Sequence, residues 1–110
     1  METTVTKNAD ALIVGLPKEI HSGNAGNVQS EINIVIEGQK KVIFDFSVNE
    51  FVSTAGIRVF LETLNKIQAQ NGKMAMFGMN DLVFEVFDIT GFAEVFGVVK
   101  ELDDALQNVA

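Results

Sequence analysis

Residues 40–79 read "KKVIFDFSVNEFVSTAGIRVFLETLNKIQAQNGKMAMFGM", and within them the hydrophobic pattern changes period twice. The run 40–47 is short, β-branched and aromatic, as a central strand is. From Thr54 to Gln70 the apolar positions become Ile57, Phe60, Leu61, Leu64 and Ile67, the spacing of one helical face. Arg58, Glu62 and Lys66 then fall four apart on the wet side, with Glu62 ahead of Lys66 in the favourable order. Asn71-Gly72 stops the helix, and 73–79 starts a second strand. Strand, helix, strand in close succession calls for a mixed sheet with helical cover.

The flanks extend that plan. Residues 2–7 and 11–16 read as a hairpin turning at Asn8-Ala9-Asp10, the first arm edge-like and the second buried and ended by Pro17. A Gly- and Asn-rich loop, "KEIHSGNAGN", follows. From Asn24, the positions Ala25, Val28, Ile32, Val35 and Ile36 fit a helix closed by Gly38, although Ile32, Ile34 and Ile36 alternate as a strand would. The polar-led pattern outruns a strand, so helix is preferred. Beyond the second strand of the core we expect a helix over 80–90 ended by Gly91, a last strand in "AEVFGVVK", and a helix in "ELDDALQNV". The expected class is α/β: one domain over residues 1–110, a mixed β-sheet with an N-terminal hairpin, covered by about four α-helices.

Composition narrows the function. Apolar residues are 47% of 110, enough for a real core. No Cys is present, which removes disulfides, thiolate nucleophiles and Cys-ligated zinc together. No signal-peptide run or membrane-length apolar stretch occurs, so a soluble, cytoplasmic protein without membrane insertion is expected. Net charge is −7 and uneven: residues 1–80 carry eight acids against seven bases, and residues 81–110 carry seven acids against Lys100. That argues against nucleic acid as a partner.

Enzyme constellations are sparse. His21 is the sole His, so no His-based zinc motif exists. The loop "HSGNAGN" has the look of a phosphate cradle without the Lys or spacing of a P-loop; a flexible turn leading into a helix is the simpler reading. It leaves a small-ligand or nucleotide binder using residues 21–27 as a weaker alternative. A triad of Ser53 or Ser22 with His21 and Asp45 can be written down, but no nucleophile-elbow sequence surrounds it. No metal site or cofactor is expected.

The stretch "STAG", Ser53-Thr54-Ala55-Gly56, is more informative. A hydroxyl at a helix start commonly caps an orphan N–H. Yet Ser53 and Thr54 are followed three residues on by Gly56 and Ile57, where a capping box wants Glu or Gln. Gly56 in the first turn also costs about 1 kcal/mol against Ala. Small residues at 55 and 56 suit the close approach of another surface. Spacing alone leaves both open: a cap, or a presented hydroxyl.

Residues 42–96 resemble the core of the STAS family, the anti-sigma-factor antagonists and their relatives. The elements carrying the resemblance are Asp45-Phe46-Ser47 at a strand end, Ser53-Thr54-Ala55-Gly56 opening a helix, Asn71-Gly72-Lys73 before a strand, and Ile89-Thr90-Gly91 with Phe92 and Phe96. The hairpin and helix before them also fit in order. The resemblance implies a phosphorylation-switched interaction module and not an enzyme. It would bind an anti-sigma factor that is also a serine-protein kinase, and so release a sigma factor to regulate transcription. Carried over by position, Thr54 is the phosphoacceptor, with Ser53 as second choice. The implied partner surface is Ser53, Thr54, Ala55, Gly56, Arg58, Asp45 and His21. Three positions depart from the family pattern: Ser53 stands where the family has Asp, Ala55 where it has a second Ser, and His21 where many members carry Asp. Some relatives act without regulated phosphorylation, as scaffolds or transporter-associated subunits, and that is the alternative reading. If Val83, Val86 and Phe87 face inward, Leu82 and Phe84 are exposed beside Asp81, Glu85 and Asp88, a possible contact patch for a partner or for a homo-oligomer.

Overall fold

Residues 3–110 are described in a computed structural model. Strands β1 (Thr4–Asn8) and β2 (Ala11–Gly15) form the expected antiparallel hairpin, with Ala9 at φ 55° in the turn. Asp10, next in that turn, meets Lys41 at 2.9 Å. Strands β4 (Lys41–Asp45) and β6 (Lys73–Phe77) complete a sheet of order β1-β2-β4-β6, parallel between β2, β4 and β6. The register pairs Val14 with Phe44 and Phe44 with Met76. All five β1 residues are exposed, while β2 is apolar and buried from Ala11 to Val14. That difference is what an edge hairpin arm and an inner strand covered on both faces require.

The two sheet faces carry different residues because side chains alternate along each strand. One face presents Leu12, Val14, Val42, Phe44, Met74 and Met76 to helices α1 (Ala25–Val35), α2 (Thr54–Ala69) and α3 (Asp81–Ile89). Between them Phe44, Phe46, Phe60, Phe87 and Phe96 contact one another, several edge to face with centroids 5.3–6.4 Å apart. The other face, Ala11, Ile13, Ile43 and Ala75, is covered by α5 (Leu102–Val109) through Ala105 and Val109.

Helix α1 settles the ambiguity in its sequence. Val28, Ile32 and Ile36 are fully buried and Ile34 is 76% exposed, which the helical period produces and the alternating one does not. Asn24 caps α1 by position; Asn80 caps α3, its Oδ1 accepting from Val83 N at 2.8 Å. Lys66 pairs with Glu37 at 2.9 Å and donates to Asn33 O at 3.2 Å, rather than pairing with Glu62 within its own helix. The cation thereby meets the carbonyl end of α1.

Two expectations need correction. Residues 92–99 do not form a strand. Gly91, at φ 78°, is followed by a one-turn helix, α4 (Phe92–Val95), and Gly97, at φ 67°, turns the chain again. Among the described residues a single parallel bridge, Val98 to Met76, reaches the sheet edge from this segment. Burial of Phe96 requires that bend, which leaves too few residues to extend along β6. With this single turn the helices among the described residues number five, in keeping with the expected cover of about four. The second correction lies in the loops. Glu19–Ile20 (β3) and Phe51–Val52 (β5) pair in parallel as a separate two-stranded sheet, where plain loops were expected. Asn49, 2% exposed, fastens the two connections by donating from Nδ2 to Pro17 O at 2.8 Å and Phe51 O at 3.3 Å.

Candidate functional site

The small β3–β5 sheet assembles the site. Ser53 N donates to Ile20 O at 2.9 Å, so the chain leaving β3 at His21 runs beside the chain entering α2 at Ser53. His21 is half-buried. Its Nδ1 accepts from Gly23 N at 3.0 Å and its backbone N–H donates to Asn24 Oδ1 at 2.8 Å. His21 O accepts from both Asn24 N and Ala25 N. The amides of residues 23, 24 and 25 are thus used within the loop, so that part of it is a folded turn and not an open phosphate cradle.

The two hydroxyls of "STAG" have separate roles. Ser53, extended at φ −89° and ψ 178°, is the N-cap of α2, and its Oγ accepts from Ala55 N at 3.2 Å. Thr54, the first helical residue, is exposed, and among the described residues its hydroxyl makes no hydrogen bond. The capping role is filled by the residue before it. Gly56 is a different matter. It is buried, and a Cβ there would lie 2.6 Å from Val52 Cγ1 and 3.0 Å from Ile20 Cγ2. Its lack of a side chain lets α2 sit on the β3–β5 pair, so the requirement is internal and not one of access for a partner.

Ala55 and Arg58 line a cleft of about 350 Å³ with Ala25, Gly26, Gln29, Val59 and Glu62, between the first turns of α1 and α2. Asp45 lies elsewhere. It lines a cleft of about 400 Å³ with Thr4, Gly15, Leu16, Pro17, Lys18 and Val48. Its Oδ1 accepts from Ser47 N at 2.8 Å and from the Ser47 hydroxyl. The carboxylate shapes the turn out of β4, and no His21–Asp45 hydrogen bond forms among the described residues. The written-down triad is not assembled.

On α3, Val83 and Phe87 are buried and Val86 is half-buried, leaving Leu82 72% and Phe84 41% exposed, as their spacing implies. A step of two residues turns a helix by about 200°, so these two do not share one face. Leu82 borders a groove with Phe51, Val52 and Val86, whereas Phe84 borders one with Met79, Val98 and Val99. Phe51, 48% exposed, and Ile89, 75% exposed, were not singled out from sequence. Phe51 is legible only once β5 is known to end one residue before the cap. Among the described residues no group of three or more His, Asp or Glu is placed to hold a metal, and among them no helix is long and apolar enough to cross a membrane.

Comparison with known proteins agrees with this architecture. The family model for the STAS domain matches residues 2–105. A protein of Bordetella bronchiseptica named as an anti-sigma factor antagonist, BtrV, is 28% identical over 106 residues, 96% of this chain and 91% of its own. The anti-sigma-B factor antagonist of Listeria monocytogenes is 21% identical over 94 residues, 84% of this chain and 80% of its own. Among solved structures, an anti-sigma factor antagonist from Mycobacterium paratuberculosis superposes with a TM-score of 0.87 at 23% identity, covering 97% of this chain and 92% of that one. With its sheet order, its hairpin and its α2 start in place, the chain belongs to the STAS domain family.

Proposed function

We propose that this protein is an anti-sigma factor antagonist, a binding module whose contact surface centres on the start of α2 and whose binding is switched by phosphorylation of Thr54. The observation that carries the reading is the division of labour at the cap. Ser53 already satisfies the helix terminus, so the exposed Thr54 hydroxyl has no structural bond to lose when modified. The partner would be an anti-sigma factor, as the names of the relatives suggest, and one with serine-kinase activity, as the family resemblance implies. That partner brings ATP and Mg²⁺, and the Thr54 hydroxyl attacks the γ-phosphate, giving phosphothreonine and ADP with the hydroxyl proton passing to a base of the kinase. The chain itself supplies no catalysis. Its surface around Ser53, Thr54, Ala55 and Arg58, with His21 alongside, provides the fit.

Phosphate adds about −1.5 to −2 charges to this surface. A helix start tolerates such charge, worth roughly 0.3–1 kcal/mol, so the module stays folded. Burying it unpaired in a complex costs about 3–4 kcal/mol, which weakens binding by roughly 10²–10³-fold.

The test is intact-mass analysis after incubation with ATP and a lysate of the source cell, alongside capture of bound proteins. One added phosphate, mapped to Thr54 and absent from Thr54→Ala, together with capture of an anti-sigma factor, is the expected outcome. An unmodified chain that instead retains a permease or another transport subunit would replace this reading with the transporter-associated one.

A further inference from the structure

We infer that phosphate on Thr54 is gripped within the same helix by Arg58, so that modification withdraws a cation from the contact surface as well as adding negative charge to it. This rests on Thr54 being the acceptor. Thr54 and Arg58 are four residues apart on α2 and both are exposed. Residues at that spacing share a face, and helical side chains lean toward the N-terminus, so the guanidinium reaches back over the turn that Thr54 begins. Among the described residues Arg58 makes no ion pair or hydrogen bond. Glu62 lies a further turn away and does not meet it within 4 Å, and Lys66 is already paired with Glu37.

One carboxylate shares the cleft, that of Glu62 a turn beyond Arg58 on the side away from Thr54, and the two do not meet within 4 Å. The first turn of α2 and the first turn of α1, which face each other across the cleft, carry no acidic residue. Ser53 and Ala55 flank the hydroxyl, and His21 is the titratable group on the adjoining loop. The remaining charges on adjacent elements are Glu19 on β3, and Glu50 before β5, which lies 3.6 Å from Lys18. A guanidinium is suited to the task, since its planar fork can take two phosphate oxygens at once.

The consequence is a switch acting through two groups. Before modification Arg58 is an unpaired cation one turn along α2 from Thr54, available to an acidic group of a partner. Afterwards it is engaged by its own chain. A partner then faces a neutralised arginine and residual negative charge where it had met a cation and a hydroxyl.

The experiment uses the full chain with phosphothreonine incorporated at position 54 during translation, so it depends on no kinase. The second ionisation of the phosphate is followed by phosphorus NMR across pH at low salt, in the natural sequence, in Arg58→Gln and in Arg58→Lys. An exposed pair of this kind should place the natural chain's phosphate pKa about 0.2–0.7 below that of Arg58→Gln, with Arg58→Lys between them. The gap should close toward 1 M salt, where the screening length falls to about 3 Å. Superimposable titrations of the natural and Gln chains would overturn the inference. Arg58 is exposed, so both unmodified variants should melt with the natural chain; if the Gln variant does not fold, the Arg–Lys comparison decides. Failure of a lysate to phosphorylate Thr54 would count against the proposed function and leave this measurement standing.

Discussion

Replacing Gly56 by Ala separates two explanations for the smallness of the α2 start. If a partner had to approach Gly56, the isolated protein would gain from the change, because Ala exceeds Gly by about 1 kcal/mol of helix propensity. The structure says otherwise. The new Cβ would stand 2.6 Å from Val52 Cγ1 and 3.0 Å from Ile20 Cγ2, and both neighbours are buried, at 2% and 0% exposure. Neither is a flexible end that can swing into solvent, so α2 must lift from the β3–β5 pair. Overpacking of this kind costs roughly 1–3 kcal/mol. Set against the propensity gain, a net loss of about 1 kcal/mol is expected. For a chain of this size that lowers Tm by about 4–5 °C. Urea unfolding with an unchanged slope gives the free energy directly. In a Val52→Ala background the tighter of the two contacts disappears, and Gly56→Ala should become neutral or stabilising, a coupling of about 1–2 kcal/mol. Stability at or above that of the natural chain for Gly56→Ala alone would refute the packing argument. An equal effect in both backgrounds would show that Val52 is not the obstacle.

The division between Ser53 and Thr54 predicts unequal stability effects: Ser53→Ala should lose about 1 kcal/mol with its cap, whereas Thr54→Ala should stay within about 0.5 kcal/mol of the natural chain. Equal losses would mean that the cap is shared. Asn49→Asp sets a carboxylate against the carbonyls of Pro17 and Phe51 in a buried position, and should destabilise by at least about 2 kcal/mol while slowing or abolishing the proposed phosphorylation of Thr54, as β5 loses its anchor. Asp10 is held below its usual pKa of 3.8 by a hydrogen bond from Lys41. A carboxylate lowered on folding stabilises the native state above that ordinary value and ceases to do so as pH falls through the folded one. Asp10→Asn should therefore melt slightly below the natural chain at neutral pH and low salt, and converge with it below about pH 3.8. A difference that persists at strong acid would assign the effect to the turn and not to the charge.

The principal helices and strands were legible because each presents one unbroken period over several residues. Helix α2 buries Ile57, Phe60 and Ile67 as the spacing requires, and β4 buries Val42, Ile43 and Phe44 as a central strand must. Two-residue strands offer no period to read, so Glu19–Ile20 and Phe51–Val52 pass as loop. At 92–99, the β-branched run of valines favours extended chain locally. The glycines at 91 and 97 and the inward pull of Phe96 override it. The same limit applied to the site. His21, Ser53, Thr54 and Asp45 could each be nominated, but nothing in their spacing says that β3 and β5 set the first two side by side while Asp45 bonds to Ser47 in its own turn.

Sequence by itself determined the α/β class, the hairpin, the helix that begins at Thr54 and a core built from phenylalanines. These follow from local periodicity, which hydrophobic burial enforces wherever the partner face lies. Tertiary structure alone decided which hydroxyl caps and which is presented, why residue 56 must be glycine, and which grooves Leu82 and Phe84 border. Those outcomes depend on which backbone groups and side chains meet across 30 or more residues of chain, at Ile20 with Ser53 and at Ile20 with Gly56. No local pattern records such a meeting. It is set by the packing of α2 on the β3–β5 pair, where a methyl group more or less changes what fits.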